Sequence, residues 1–154
     1  MAPLIVKNIQ ALREYIGREI GVSEWLLISQ ERVAQFAEAT EDRQWIHLDQ
    51  QRAAAESPYG ATIAHGFLTL SLLSHFMKDV IAVEAGIRFV VNYGLNRVRF
   101  PAAVKVGSRI RARVALAALK EDAQSVDSTF SVSIESEGSA KPHCVAEWVV
   151  RYYV

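Results

Sequence analysis

The sequence predicts an α+β fold in which an antiparallel β-sheet wraps around one long central α-helix, carried as a single domain over residues 1–154. Three observations point there. Apolar residues recur at helical spacing through the first half, the stretch from Gly66 to Ala82 is apolar almost all round, and the second half changes to a two-residue period. A helix without a polar face must be buried, so FLTLSLLSHFMKDVIA is the natural centre for the sheet.

Taken in chain order, Val6, Ile9, Leu12, Tyr15 and Ile16 predict a first helix, with Gly17 as its stop. Val22 to Ile28 reads as a first strand. Ser29 is placed to cap a second helix, with Val33, Phe36 and Ala37 on one face. That helix runs out near Thr40 and leaves Glu41 to His47 as a loop. Asp49 caps a short helix through Arg52 to Glu56, and SPYGATIAHG is rich in turn formers. In the central helix, His75, Lys78 and Asp79 argue against a membrane span. Beyond it Ile87, Phe89, Val91 and Tyr93 alternate, with Gly94 at a bulge. Ile110, Ala112, Val114 and Leu116 alternate against Arg109, Arg111 and Arg113. Phe130, Val132 and Ile134 mark a further strand, and the last runs from His143 to Val154. No internal repeat, low-complexity tract or linker interrupts the chain.

Composition is that of a globular protein, with 51% hydrophobic and 22% charged residues. The 17 basic and 17 acidic side chains cancel, so no global field recruits nucleic acid or an anionic membrane. Cys144 is the only cysteine, which excludes an intrachain disulfide and a thiolate zinc site. The opening MAPLIVKNIQALREYIG has one short apolar run before charge appears, neither a signal peptide nor a span, and the expected location is cytoplasmic. Four scattered histidines predict no metal-ligand cluster, and no glycine-rich phosphate loop follows a strand. Neither metal nor flavin chemistry is expected.

The segment AEATEDRQWIHLDQQRAAA places Asp42 and His47 five residues apart between two helices. A carboxylate facing an imidazole can hold one water and move protons in both directions. Spacing alone also fits a plain account, with Asp42 capping a turn and His47 on the surface. Trp45 and Ile46 favour the chemical account, because bulky apolar neighbours bury the loop and burial shifts pKa values. Ala64-His65-Gly66 opens the central helix. There the Gly66 N–H, aided by the helix dipole, can meet an oxygen acquiring negative charge. The alternative is that Gly66 only eases packing at the helix start.

DRQWIH followed by IAHGF resembles the MaoC-like dehydratases, the (R)-specific enoyl-CoA hydratases, whose pattern is Asp-x-Asn-Pro-(Ile/Leu/Val)-His and then His-Gly. Asp42, Ile46 and His47 match it, whereas Gln44 stands in place of Asn and Trp45 in place of Pro. These departures, with NYGLNRVRFPAAVKVGSRI, resemble the nodulation-protein-N-like branch. The resemblance implies a hotdog fold, a homodimer, and reversible syn addition of water to a trans-2-enoyl thioester. It implies no cofactor beyond the coenzyme A or acyl carrier protein that the substrate carries. By position Asp42 and His47 hold the water, Gly66 N–H receives the thioester carbonyl, and Gln44 is placed with Gly66 among the oxyanion and substrate-binding residues. Ser74, two turns further along the helix, falls where the family often has a polar residue near the pair; a hydroxyl bonded back to Leu70 is the other account.

The remaining polar residues have plainer readings. His65 is read as structural, His75 and His143 as surface or packing, and Asp49 as a helix cap. Arg97, Arg99, Arg109, Arg111 and Arg113 lie two apart on strands, and the solvated face of a sheet is favoured over contact with coenzyme A phosphates. Trp148 and Tyr152 on the last strand are expected to leave apolar surface for a second copy to cover. Two other functions compete: a hotdog thioesterase, in which the carboxylate directs water to the carbonyl, and a non-catalytic module that binds acyl thioesters.

Overall fold

The structure, a computed structural model, describes residues 2–154. Its first elements depart from the helix expected there. Leu4–Val6 is a strand, β1, followed by a 3₁₀ helix over Ile9–Tyr15. The reason is tertiary: β1 pairs in parallel with β4, Ile81–Val83, beyond the central helix. The three-residue interval of the 3₁₀ turn then buries Ile9 and Leu12 completely, and Asn8 Oδ1 accepts from Ala11 N–H at 3.1 Å to cap it. Gly17, at φ +80°, ends this segment as expected.

The strand expected over residues 22–28 is two strands, the first displaced toward the N-terminus and the second inside that range. They are β2, Arg18–Val22, and β3, Leu26–Leu27, both on β6, Arg109–Glu121. Ser23 separates them, its Oγ taking the Ala112 N–H at 2.9 Å in place of a ladder bond. Ser29 caps helix α1, Gln30–Thr40, through the Arg32 N–H, and Asp49 caps α3, Gln50–Glu56, through the Arg52 N–H. Between them the expected loop is shorter than residues 41–47, because Trp45–Leu48 forms a helical turn, α2.

The central helix is two segments, α4 (Gly66–Ser71) and α5 (Leu73–Val80), and it stops before Ile81, which is extended in β4. Nor is it buried all round. Leu68, Leu72, Leu73, Phe76 and Val80 face the core, while Phe67, Ser71, Ser74, His75 and Lys78 are exposed. No helix among the described residues is long and apolar enough to cross a membrane.

Strands β5 (Phe89–Arg99), β6, β7 (Ser125–Ser136) and β8 (Cys144–Tyr153) complete an antiparallel sheet in the order β2-β6-β7-β8-β5, with β3 also on β6. The register shift between Asn92 and Gly94 is the bulge read from the sequence. Alternation holds on β6, where Ile110, Ala112, Val114 and Leu116 are buried against Phe130, Val132 and Ile134 of β7. The intervening arginines pair with acids: Arg109 with Glu137, Arg111 with Glu135, and Arg113 with Glu19 and Glu135. Trp148 and Tyr152 are 6% and 5% exposed, so they belong to the core and are not the apolar surface expected of them. That surface lies on β5, an edge strand that pairs only with β8 and exposes Phe89, Val90, Val91, Tyr93 and Leu95.

Candidate active site

At the exit of α1, Thr40 Oγ1 donates back to Phe36 O at 2.8 Å, and Glu41 takes up the left-handed conformation, φ 60°. A non-glycine residue in that region turns the chain sharply. The next residue, Asp42, is half-buried beneath the helix end. Gln44 Nε2 donates to Asp42 Oδ1 at 3.3 Å, so the residue standing in place of the expected Asn still reaches the carboxylate. Trp45 occupies the first helical position of α2, where proline is also at home, and the Arg52 guanidinium lies 4.2 Å from its ring.

His47 is buried, and both its backbone and its ring are fixed. Its Nδ1 lies 2.7 Å from Ile63 O; a carbonyl can only accept, so Nδ1 carries the proton and Nε2 keeps a free lone pair. Ile63 N–H returns a bond to Ile46 O at 3.0 Å. Gln30 Nε2 donates to His47 O at 2.7 Å, while Gln30 Oε1 accepts from Thr62 Oγ1 at 2.6 Å and Gln50 Nε2 at 3.2 Å. Burial lowers the His47 pKa most; the Ile63 bond opposes that, His65 adds to it, and the Asp42 charge opposes it. The net shift is downward, leaving a neutral imidazole.

The segment that carries Ile63 is anchored in turn. Ala64 N–H donates to Val104 O at 2.8 Å, and Val106 N–H to Thr62 O at 2.9 Å. His65 follows, its ring stacked on His47 at 3.7 Å between centroids and 22° between planes. His65 Nε2 donates to the Asp42 carbonyl at 2.9 Å. Gly66 then opens α4, and its N–H, first in the helix, takes no partner among the described residues. A Cβ at Gly66 would sit 3.2 Å from the Phe100 ring, so glycine leaves room for this close approach. Phe36, Thr40, Asp42, His47, His65, Gly66, Phe67 and Phe100 line one cavity of about 450 Å³.

Four residues singled out by sequence, Asp42, Gln44, His47 and Gly66, therefore meet here. Ser74 does not: it lies on the open face of α5, lining two cavities of about 290 and 430 Å³ with Asn92 and Trp148. Its hydroxyl makes no bond to Leu70, whereas Ser71 bonds back to Leu68 at 2.8 Å. The histidines are less scattered than expected, since ligand-type atoms of Asp42, His47 and His65 lie within 4.8 Å of one another. The two rings, however, are stacked with their planes only 22° apart. As arranged, the rings cannot both direct a nitrogen at one ion at the roughly 2.0–2.1 Å of a zinc–imidazole bond. Gln30 was missed by sequence reasoning. Its signal is a polar residue on the same helical stripe as buried Val33 and Ala37. His143 packs, with Ser136 Oγ at 2.7 Å and Ala102 O at 3.2 Å.

Comparison with known proteins agrees with this geometry. The MaoC like domain matches residues 11–137. The chain is 49% identical over 147 residues to 3-hydroxyacyl-thioester dehydratase Z of Mycobacterium tuberculosis (strain ATCC 25618 / H37Rv), covering 95% of this chain and 96% of that protein. It is 44% identical over 135 residues to Nodulation protein N of Rhizobium leguminosarum bv. viciae, covering 87% and 84%. Among solved structures, the (R)-hydratase from A. caviae involved in PHA biosynthesis superposes with a TM-score of 0.69 at 26% identity, over 88% of this chain and 94% of that one. An antiparallel sheet around a helix, a loop-borne Asp and His, and a His-Gly helix start thus occur together with matches across most of the chain: it belongs to the MaoC-like family.

Proposed function

We propose that the chain, as a single MaoC-like domain, catalyses the reversible hydration of trans-2-enoyl thioesters to (R)-3-hydroxyacyl thioesters, with Asp42 and His47 holding the water. The carrying observation is the His47 tautomer: Nδ1–H is committed to Ile63 O, which leaves Nε2 an acceptor on a ring that has a nitrogen within 4.8 Å of an Asp42 carboxylate oxygen. In the hydration direction a water O–H donates to Nε2 and its second hydrogen to Asp42. The water oxygen bonds to the β-carbon, and the C=C electron pair moves toward the thioester, giving an enolate whose oxygen meets the Gly66 N–H. The imidazolium, steadied by Asp42, then returns its proton to the α-carbon from the same face, so addition is syn and all groups are regenerated.

The coenzyme A or acyl carrier protein belongs to the substrate, and the proposal needs no other cofactor. Ser74 belongs to the groove along α5, past Phe67, and serves the acyl chain there. Two copies joined along β5 would cover its exposed Phe89, Val90, Tyr93 and Leu95, which supports a homodimer. The deciding experiment follows loss of enoyl absorbance with short- and medium-chain trans-2-enoyl-CoA, with chiral separation of the product. Formation of the (R)-3-hydroxyacyl thioester supports the proposal; release of free thiol with no hydrated product refutes it in favour of a thioesterase.

A further inference from the structure

We propose that His65 is a positioning residue for the catalytic pair, holding Asp42 through its main chain and His47 through its ring. The inference rests on the hydratase reading and extends it to a side chain whose contacts reach both members at once. The Asp42 carbonyl is an acceptor only, so the 2.9 Å bond fixes the His65 proton on Nε2. That bond ties the sharp turn after α1 to the start of α4. The same ring lies 3.7 Å over His47, with Phe36 closing on it at 4.9 Å and 54°. A sideways movement of His65 therefore displaces the carboxylate-bearing loop and the imidazole together. Its other nitrogen, Nδ1, is buried with no partner among the described residues. A buried acceptor of this kind takes a hydrogen bond from water or from a ligand.

The stack also adds to burial in keeping His47 neutral. The groups that share a cavity or a bond with that imidazole are Asp42 from the loop, Phe36 and Thr40 from α1, Ile63 and His65 ahead of α4, Gly66 and Phe67 on α4, and Phe100 beyond β5. Only Asp42 and His65 among them titrate, and they act in opposite senses: Asp42 favours the imidazolium and His65 disfavours it.

Two variants separate positioning from space filling. His65→Phe keeps a planar ring on His47 but loses the donor to Asp42. His65→Gln keeps an amide donor and loses the ring. Positioning predicts that His65→Phe, folded, loses about 10²-fold in kcat with little change in KM, the scale of a slightly misplaced reacting group. It predicts that His65→Gln recovers part of that loss. Imidazole NMR should find the Nε2–H tautomer at His65 in the wild-type protein and an upward move of the His47 titration in His65→Phe, with the acid limb of kcat moving to higher pH. A folded His65→Phe protein with wild-type kcat and an unmoved His47 titration overturns the proposal. Should His65→Phe fail to fold, His65→Gln decides alone: reduced kcat with an upward His47 shift upholds the role, and wild-type values for both overturn it. If the wild-type protein hydrates no enoyl thioester, the functional reading falls by itself, and the His47 titration still decides the coupling.

Discussion

Strands β6, β7 and β8 hold one another through main-chain ladders that run the length of each strand, whereas the segment from Glu41 to Gly66 has a few main-chain bonds around Ile63 and otherwise relies on side chains reaching backbone. Gln30 holds His47, His47 holds Ile63, and His65 holds Asp42. A ladder is indifferent to which apolar residue it carries, provided alternation and volume survive. A side-chain bond is lost with the side chain. The sheet should therefore respond to substitution in stability, and the segment beside it in rate.

The largest effect expected on the segment side is at the pair. Asp42→Asn and His47→Gln should each lower kcat by roughly 10² to 10⁴ with thermal midpoints close to wild type. Near-wild-type turnover by either purified variant removes the assignment. On the proposed mechanism, hydration needs neutral His47, whose pKa is held below the ordinary 6.5. The acid limb of the rate profile should accordingly lie below that value. Stability follows the same sign: as pH falls through the ordinary imidazole value, the unfolded chain binds a proton that folded His47 still refuses, and the fold weakens.

The opposite behaviour is expected of Phe130, which is fully buried on β7. Phe130→Ala should cost about 3–5 kcal/mol in denaturant unfolding and leave kcat per folded molecule unchanged. A folded variant with impaired kcat would break the division between sheet and segment.

Gly66 sharpens the comparison from within the site. Gly66→Pro removes the N–H at the first helical position, where proline is tolerated, and should lower kcat by roughly 10² to 10³. Gly66→Ala keeps the donor but brings a methyl to 3.2 Å from the Phe100 ring; Phe100 is exposed and can shift, so the loss should be smaller. A folded Gly66→Pro enzyme with unimpaired kcat ends the role of that N–H.

The smallest effect belongs to the outer face of the sheet. Arg111 and Glu135 pair at 2.7 Å, each about a third exposed. A double-mutant cycle of Arg111→Ala and Glu135→Ala should return a coupling of about 1 kcal/mol or less in thermal unfolding. A coupling several times larger would make the charged face a structural element comparable to the core.

How legible each region was in the sequence follows the same division. Alternation on β6 and β7, the Ser29 and Asp49 caps and the bulge before Gly94 are local signals, readable because neighbouring residues carry the whole pattern. Asp42, His47 and Gly66 were legible as residue types at motif spacing, helped by resemblance. What escaped was set at long range. The parallel pairing of Leu4–Val6 with Ile81–Val83 turned an expected helix into a strand. Trp148 and Tyr152 lie on the inner face of their strand, because β8 runs between β7 and β5 and not along an edge. His65 looked like an ordinary helix-start residue, since its three partners, Phe36, Asp42 and His47, come from α1, the loop after it and α2. Ser74 sat at a fitting sequence distance, yet the cavity that gathers the pair is lined from the other end of the helix.

The open edge of β5 has a consequence for how the protein comes to exist in quantity. The outer edge of this eleven-residue strand, whose inner edge is taken by β8, carries exposed apolar groups and forms a template for any extended segment that arrives. On the proposed pairing of two copies along β5, a newly folded chain is in a kinetic race, and the odds depend on how many properly folded copies surround it. Dilution, slow synthesis or partial unfolding of neighbours tilts that race toward mispairing and precipitation. Lysine or proline substitutions along the outward positions of this strand would trade the encounter for solubility.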